Sequence, residues 1–394
     1  MDEAHAIGDR LRDARKRRGL SQRELARQSG VSVSLVRKLE QGDYDNGLRL
    51  ETVRKMAVAL GVPTSALAFS GNPPPPDRES VSRWEPVRRA LEGAVGPEPD
   101  EEPTLDGVRG GVGEAVRLFR DGGLTDLAGM LPPLLADADA LVSEGTNGAR
   151  VEARSERSRI RVLAGSLLVH TWQFTAADQA FALAWEDANG PLEQIAVSGQ
   201  QCFALTRQGM LAQCRELAVR RADETEPRLS SATRQELAAW GGLLLWGAGA
   251  SVRDNRPDDA DAMIRLARAA ADVAGGDFVP PHAPWHRFGP SVVAVAEAES
   301  AVIRDRPDRT LAIGRRLKPQ ARRYARHRLD VAAAHVALRQ YPEAVTVLEE
   351  LRRDRPQWLP QQRYAGRILA TIIGRRRTLT HDMRDLADYL RLPL

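Results

Sequence analysis

Thirteen of the chain's Lys and Arg residues stand in its first 70 positions against nine Asp and Glu, so the whole formal charge of +4 falls on the first sixth of the 394-residue sequence. The remainder carries 44 residues of each sign. The densest run is Arg10, Arg12, Arg15, Lys16, Arg17, Arg18, Arg23 and Arg27. Such a local excess is the electrostatic footprint of a polyanion partner. A solvated helix face is the other reading, and charge alone does not decide. Other chemistry is sparse. His282 and His286 are four apart, but Pro284 between them spoils a helical metal pair and no third ligand is evident, so no metal is expected. The sequence holds no GxGxxG, GxxxxGK, GxSxG or HExxH pattern and no nucleophile paired with a base, so neither a cofactor nor a catalytic residue is expected and the chain is not read as an enzyme. Two cysteines, Cys202 and Cys214, rule out a disulfide framework and fit a reducing compartment. No apolar run reaches the roughly 18 residues of a membrane helix and the N-terminus has no secretory pattern, so a cytoplasmic location without membrane contact is expected.

The elements that must position the basic run are short helices. Ile7, Leu11 and Ala14 share one face of a first helix, Ile7 to Arg18, which Gly19 ends. Ser21 with Glu24 forms a capping box for a second, which stops at Gly30. Ser32 caps a third, Val33 to Gln41; a fourth runs from Leu50 to Leu60, and a last turn near Pro63 includes Leu67. Two short helices joined by Gly30-Val31-Ser32 make a helix-turn-helix.

The stretch IGDRLRDARKRRGLSQRELARQSGVSVSLVRKLEQG, with LRLETVRKMAVALGV after it, resembles the lambda-repressor-like (XRE) DNA-binding domain over about 60 residues. The resemblance implies that the third helix enters the major groove with Val33, Ser34, Arg37 and Lys38 outward, next to the capping Ser32, while Gln22, Gln41 and Arg49 meet the backbone of a double-stranded operator. It also implies a structural ion pair between Arg15 and Glu40, with Val31, Val36 and Leu39 in the core. Valine at position 33 departs from the long polar side chain of many relatives and allows only apolar contact, for example with a thymine methyl. Asp43 and Asp45 place negative charge in a loop that often nears the DNA. One such module reads few bases, so a homodimer on two half-sites is expected, although no dimerisation motif is evident.

Residues 1–70 are therefore read as the DNA-binding domain and 71–104 as a linker, in which Pro73 to Pro76 favour an extended spacer and Trp84 to Leu91 a short helix. Residues 105–394 read as helical repeats. Small residues open each second helix at Ala180, Cys214, Ala260, Thr310 and Ala344, spaced 34, 46, 50 and 34. Twelve positions earlier stand Leu168, Cys202, Ala248, Ala298 and Ala332, and five earlier the turns Thr175, Gly209, Asn255, Asp305 and Arg339. This gives both cysteines a packing role. A degenerate pair spans Leu105 to Leu141, turning at Gly122-Gly123, and a final amphipathic helix follows the Thr380 cap. The segment from Asp277 to Pro290 breaks the array as a proline-rich ordered loop that could lid a groove.

The array resembles a tetratricopeptide domain, and the whole chain resembles an actinobacterial type of XRE regulator. The expected fold is all-α: a five-helix helix-turn-helix domain followed by a tetratricopeptide-like α-solenoid. By repeat position the inner face includes Trp172, Gln173, Phe203, Arg207, Arg253 and Glu299, a lining suited to a peptide or small-molecule effector, with ordinary inter-repeat core as the other reading for Trp172 and Phe203. The function read from this is a sequence-specific transcriptional regulator whose repeats sense an effector and mediate dimerisation. The alternative is an adaptor whose repeats bind another protein, the helix-turn-helix acting as a DNA tether.

Overall fold

The computed structural model describes residues 3–43, 50–67, 84–93, 102–322, 324–376 and 378–392. Among them are 21 α-helices and one 3-10 turn, and the β-pairing is a single bridge between Phe278 and Phe288. The N-terminal module is built from α1 (Glu3–Arg17), α2 (Gln22–Ser29), α3 (Val33–Gln41), α4 (Leu50–Leu60) and α5 (Thr64–Leu67). Its boundaries are the ones the caps dictate. Ser21 and Glu24 form the reciprocal capping box on α2, the Ser32 hydroxyl accepts from the Leu35 amide, and Gly30 and Gly42 end their helices in the left-handed conformation. Leu11, Leu25, Val36, Met56 and Leu60 close a small separate core, with Val31 and Val33 half-buried at its edge. The described part of the linker is α6 (Glu85–Leu91), and it is a packed element: Trp84 and Val87 are buried in the core of the domain that follows. Residues 71–83 and 94–101, like Arg49 and Asp45, lie outside the described residues.

The second domain stacks antiparallel pairs: α7 (Leu105–Asp121) with α8 (Leu124–Glu144), α9 (Asn147–His170) with α10 (Phe174–Asp187), α11 (Pro191–Gln208) with α12 (Leu211–Glu224), α13 (Arg234–Arg253) with α14 (Pro257–Ala274), and α15 (Pro290–Ile303) with α16 (Pro307–Arg316). A short α17 (Pro319–Arg322) leads to α18 (Ala325–Ala337) and α19 (Tyr341–Asp354); the 3-10 turn Leu359–Gln361, α20 (Arg363–Ile373) and α21 (His381–Tyr389) complete the chain, the last capped by Thr380 as expected.

Each pair turns on one residue with positive φ: Gly122, Trp172, Gly209, Asn255, Asp305 and Arg339, between 58° and 79°. The first pair of the expected register is therefore three residues off. Its turn is Trp172, not Thr175, and the small residue at the helix crossing is Ala177, not Ala180. The partner twelve positions earlier is Gly165, where a Cβ would meet the Phe181 ring at 2.5 Å, and not Leu168. With this shift all five crossings pair small residues. Cys214 Sγ lies 3.4 Å from the Cys202 carbonyl, and the Thr310 hydroxyl donates to the Ala298 carbonyl at 2.9 Å. The register slipped because Ala177 and Ala180 are both small and fully buried, so residue size alone did not mark which of them sits at the crossing.

The solenoid returns on itself. The Thr125 amide donates to Gln357 Oε1 at 2.8 Å, Arg355 pairs with Asp121 at 3.3 Å, and Arg207 donates to Gln362 Oε1 at 3.0 Å and to the Gln361 carbonyl at 3.2 Å. The end of the array thus closes against α7, α8 and α11, and the inner faces of the first helices line a lumen.

Candidate functional site

The exposed surface of α3 comes first. Ser32, Ser34, Arg37, Lys38 and Gln41 are exposed, and Val33 is half-buried on the module's own core. Val33 thus offers only part of a methyl surface, and the polar reach of this face rests on Arg37, Lys38 and Gln41. Behind it Arg15 holds Glu40 through two bonds, at 2.6 and 2.8 Å, and also bonds the Leu20 carbonyl. Burial raises the Glu40 carboxyl, but the Arg15 and Gln22 bonds outweigh it and hold it below its ordinary value. The Glu40 bond in turn raises the Arg15 guanidinium. Arg12 donates to the Glu40 carbonyl, so two cations of the basic run turn inward, while Lys16, Arg17, Arg18, Arg23 and Arg27 stay exposed. Gln22 is not a free backbone reader: its amide donates to Glu40 Oε2 at 2.9 Å, leaving the other amide proton for a phosphate.

The opposite side of the module is held by the repeats. Asp254, wholly buried at the α13–α14 turn, accepts the Ser65 amide at 2.7 Å through its carboxylate and the Thr64 amide at 3.2 Å through its carbonyl. The Thr64 hydroxyl donates to the Arg253 carbonyl, and Asn255 Nδ2 donates to the Val62 carbonyl. First-turn amides of α5, which no preceding carbonyl can satisfy, are capped from 189 residues away. Arg54 enters the same seam, where burial and the Arg253 charge lower its pKa against the pull of Glu51 and Asp305. Docking through α4 and α5 leaves α3 free.

Five of the six inner-face residues expected from repeat position come together in the lumen. Arg207 lies over the Trp172 ring at 4.6 Å and the Phe203 ring at 5.9 Å, and Arg253 pairs with Glu299 at 2.6 Å. Gln173 is placed elsewhere: buried ahead of α10, it donates to the Thr171 hydroxyl. The sequence reading missed most of what surrounds the five. Arg326 joins the two groups, bonding Glu299 at 2.9 Å and lying over Tyr364 at 4.8 Å, and Arg363 covers Trp172 at 3.4 Å. Burial, then the charges of Arg326, Arg363 and Arg367, push Arg207 down to about 9. Burial raises Glu299, but Arg253 and Arg326 hold it low and ionised; burial raises Asp330, with Arg326 opposing.

Rings continue the lining, with centroids stepping 5.8, 5.1, 6.0 and 6.2 Å through Phe119, His170, Phe203, Trp246 and His286. Both histidines are neutral near pH 7 because burial drops His170 to about 3 and His286 to about 4. The Gln200 amide donates to His286 Nε2 at 2.6 Å. In the corrected register His170 stands where Arg207 and Arg253 do, five residues past the small crossing residue. That spacing was the signal that could have found it.

The Asp277–Pro290 loop is ordered, as expected, and pinned by reciprocal Phe278–Phe288 bonds of 2.9 and 3.0 Å. It roofs a cavity of about 230 Å³ between α11, α13 and α15, lined by Gly242, Trp246, His282, His286, Phe288 and Glu299 among others.

Among known families, the helix-turn-helix matches residues 11–67. This segment is an XRE-type DNA-binding domain, the equipment of a transcription regulator. No curated protein and no solved structure matches the chain. Among the described residues no helix is long and apolar enough to cross a membrane.

Proposed function

We propose that the chain is a ligand-responsive transcriptional regulator. The N-terminal module reads operator DNA as one half of a homodimer. The tetratricopeptide-like repeats mediate dimerisation, bind an effector in the lumen, and set the placement of the two modules. Ser32, Val33, Ser34, Arg37 and Lys38 face the bases, while Gln22, Gln41 and Arg49 meet the backbone. Trp172, Phe203, Arg207, Arg253 and Glu299 form the effector site, with Gln173 bracing the turn beside them.

The observation that carries this reading is the exposed α3 face on a module whose other side is fastened to the repeats by Asp254 and Asn255. The DNA-reading surface and the lumen are then joined by direct bonds, so an effector with different affinity for two arrangements of the repeats can bear on the module. A cavity of about 230 Å³ suits a small molecule better than a protein segment, which favours sensing over tethering.

Selection of bound sites from random duplexes by the full chain tests the proposal. Two related half-sites about one helical turn apart are expected. Retention of duplexes without any enriched sequence would refute it.

A further inference from the structure

We propose that the lumen binds a small amphipathic organic anion, its ring-bearing apolar body seated in the cavity beside Trp246 and its acid group on the arginines beyond Glu299. The proposal names the ligand class for the sensing domain and rests on that reading for its biological use. The site itself rests on four observations.

The first is unfilled space in a helix. Of the glycines in α13, Gly241 and Gly247 are dictated by packing, because a Cβ would come within 2.3 Å of Phe288 and 2.7 Å of the Met263 sulfur. Gly242 is not: a Cβ there meets nothing within 4 Å, and it faces the cavity. A mid-helix glycine costs stability relative to alanine, so this one keeps room at the expense of the fold. Ala196, Gly199, Ala238 and Ala296 widen the same space. At about 230 Å³ the cavity exceeds the roughly 150 Å³ apolar void that accommodates benzene.

The second is an orphaned polar atom. His282 is only 6% exposed, lines the cavity, and its Nδ1 has no protein partner. Burial drops its pKa to about 4, with Arg159 adding to the effect, so a neutral imidazole is offered to the ligand. Third, the rings of Phe203, Trp246 and the uncharged His286 form a continuous aromatic wall leading out of the cavity.

The fourth is charge. Among the described residues, Arg253 and Arg326 face Glu299 and Asp330, while Arg326, Arg363 and Arg367 stand close enough to Arg207 for their charges to add to the burial that depresses it. Arg253 and Arg326 both bond the same oxygen of Glu299, Oε1. Arg326 keeps 44% of its side chain accessible, so its charge can be reached from the lumen. An acid group there relieves the repulsion, whereas a cation adds to it. The neutral histidines and the alanines and glycines leave most of the cavity end suited to the uncharged part, with the exposed Arg287 also in its lining.

The probes are 1-anilinonaphthalene-8-sulfonate and N-phenyl-1-naphthylamine, which share two ring systems and differ by the sulfonate, titrated by fluorescence into the full chain. The sulfonate is expected to bind about tenfold tighter or more, the value of one charge-assisted bond. Arg326→Gln, and independently the exposed Arg363→Gln, should erase most of that preference and leave the neutral probe unchanged. Gly242→Leu should abolish binding of both probes while retaining helicity and thermal midpoint, since leucine is the better helix former. Equal affinities for the two probes in the native chain, or undiminished binding by Gly242→Leu, overturn the proposal. Operator binding separates it from the sensing reading. A sulfonate probe that obeys these dependences without changing operator affinity supports the site and counts against sensing by it. A metabolite extract that shifts operator affinity equally in the native chain and Gly242→Leu upholds sensing and overturns this site.

Discussion

Removing the Asp254 carboxylate should loosen the DNA-binding module from the repeats without damaging the reading helix. That carboxylate is wholly buried and has three partners: the Ser65 amide at 2.7 Å, Arg215 at 2.8 Å and Arg256 at 3.5 Å. In Asp254→Ala the Ser65 amide is left unsatisfied in the seam, worth about 1–3 kcal/mol. Arg215 loses its buried counter-charge, worth about 3–5 kcal/mol for a fully enclosed pair. With 15% of its side chain accessible, Arg215 should fall below that range, for a total near 3 kcal/mol. Of the carboxylate's partners only Ser65 belongs to the module, and the carbonyl of residue 254 still accepts the Thr64 amide, so the share that falls on docking is at the low end of the range for one bond, about 1.4 kcal/mol, a tenfold shift toward the undocked module. Amide hydrogen exchange on the full chain reads this directly. Thr64 and Ser65 should exchange about tenfold faster while residues 33–41 keep their rates. Asp254→Asn, whose amide oxygen can still accept from Ser65, should fall between the two. If Thr64 and Ser65 keep their protection in Asp254→Ala while the global unfolding midpoint drops, the carboxylate serves only the repeat array and the reasoning fails.

Arg37→Ala and Lys38→Ala should each relax discrimination between operator variants, measurable by competition binding, whereas Gln22→Ala should weaken all duplexes alike; equal loss of specific and non-specific binding in all three would contradict the assignment of α3. Glu40 is held below its ordinary value of 4.5, so its contribution to stability is present above that pH and lost as pH falls through the lower folded value; exchange of α3 amides should accelerate across that acid window in the native chain and show little such dependence in Glu40→Gln. Trp172 carries a positive φ of 64°, so Trp172→Gly should recover about 1–2 kcal/mol of backbone strain, offsetting lost packing. Its urea midpoint should therefore stay near that of the native chain while probe affinity in the lumen falls; a loss of about 3 kcal/mol or more would show that the strain is unimportant.

Local chemistry made the N-terminal module legible. Ser21, Glu24, Gly30, Ser32 and Gly42 act within one turn of the helix they start or stop, and the Arg15–Glu40 pair follows from the family pattern. The limits of that legibility are Gln22 and Val33, whose side chains are partly taken up by neighbours only the fold brings near. In the repeats, small residues at the helix crossings set the register, but Ala177 and Ala180 are alike in size and burial, and the first pair slipped by three residues. That slip put Gln173 on the expected inner face and left His170 off it. The contacts from Asp121 and Thr125 to Arg355 and Gln357 span more than 230 positions, and no periodicity announces them. The residues they bring across the lumen, Arg326, Arg363 and Tyr364, were therefore invisible as partners of Arg207 and Trp172.

Arg253 and Asp254 are consecutive, yet they look in different directions: the first grips Glu299 inside the ring, and the second grips Ser65 outside it. One peptide plane is thus the lever arm between two compartments. Any displacement of that plane therefore bears on both grips at once. The left-handed Asn255 immediately beyond adds a further tie on the outer side, its Nδ2 donating to the Val62 carbonyl.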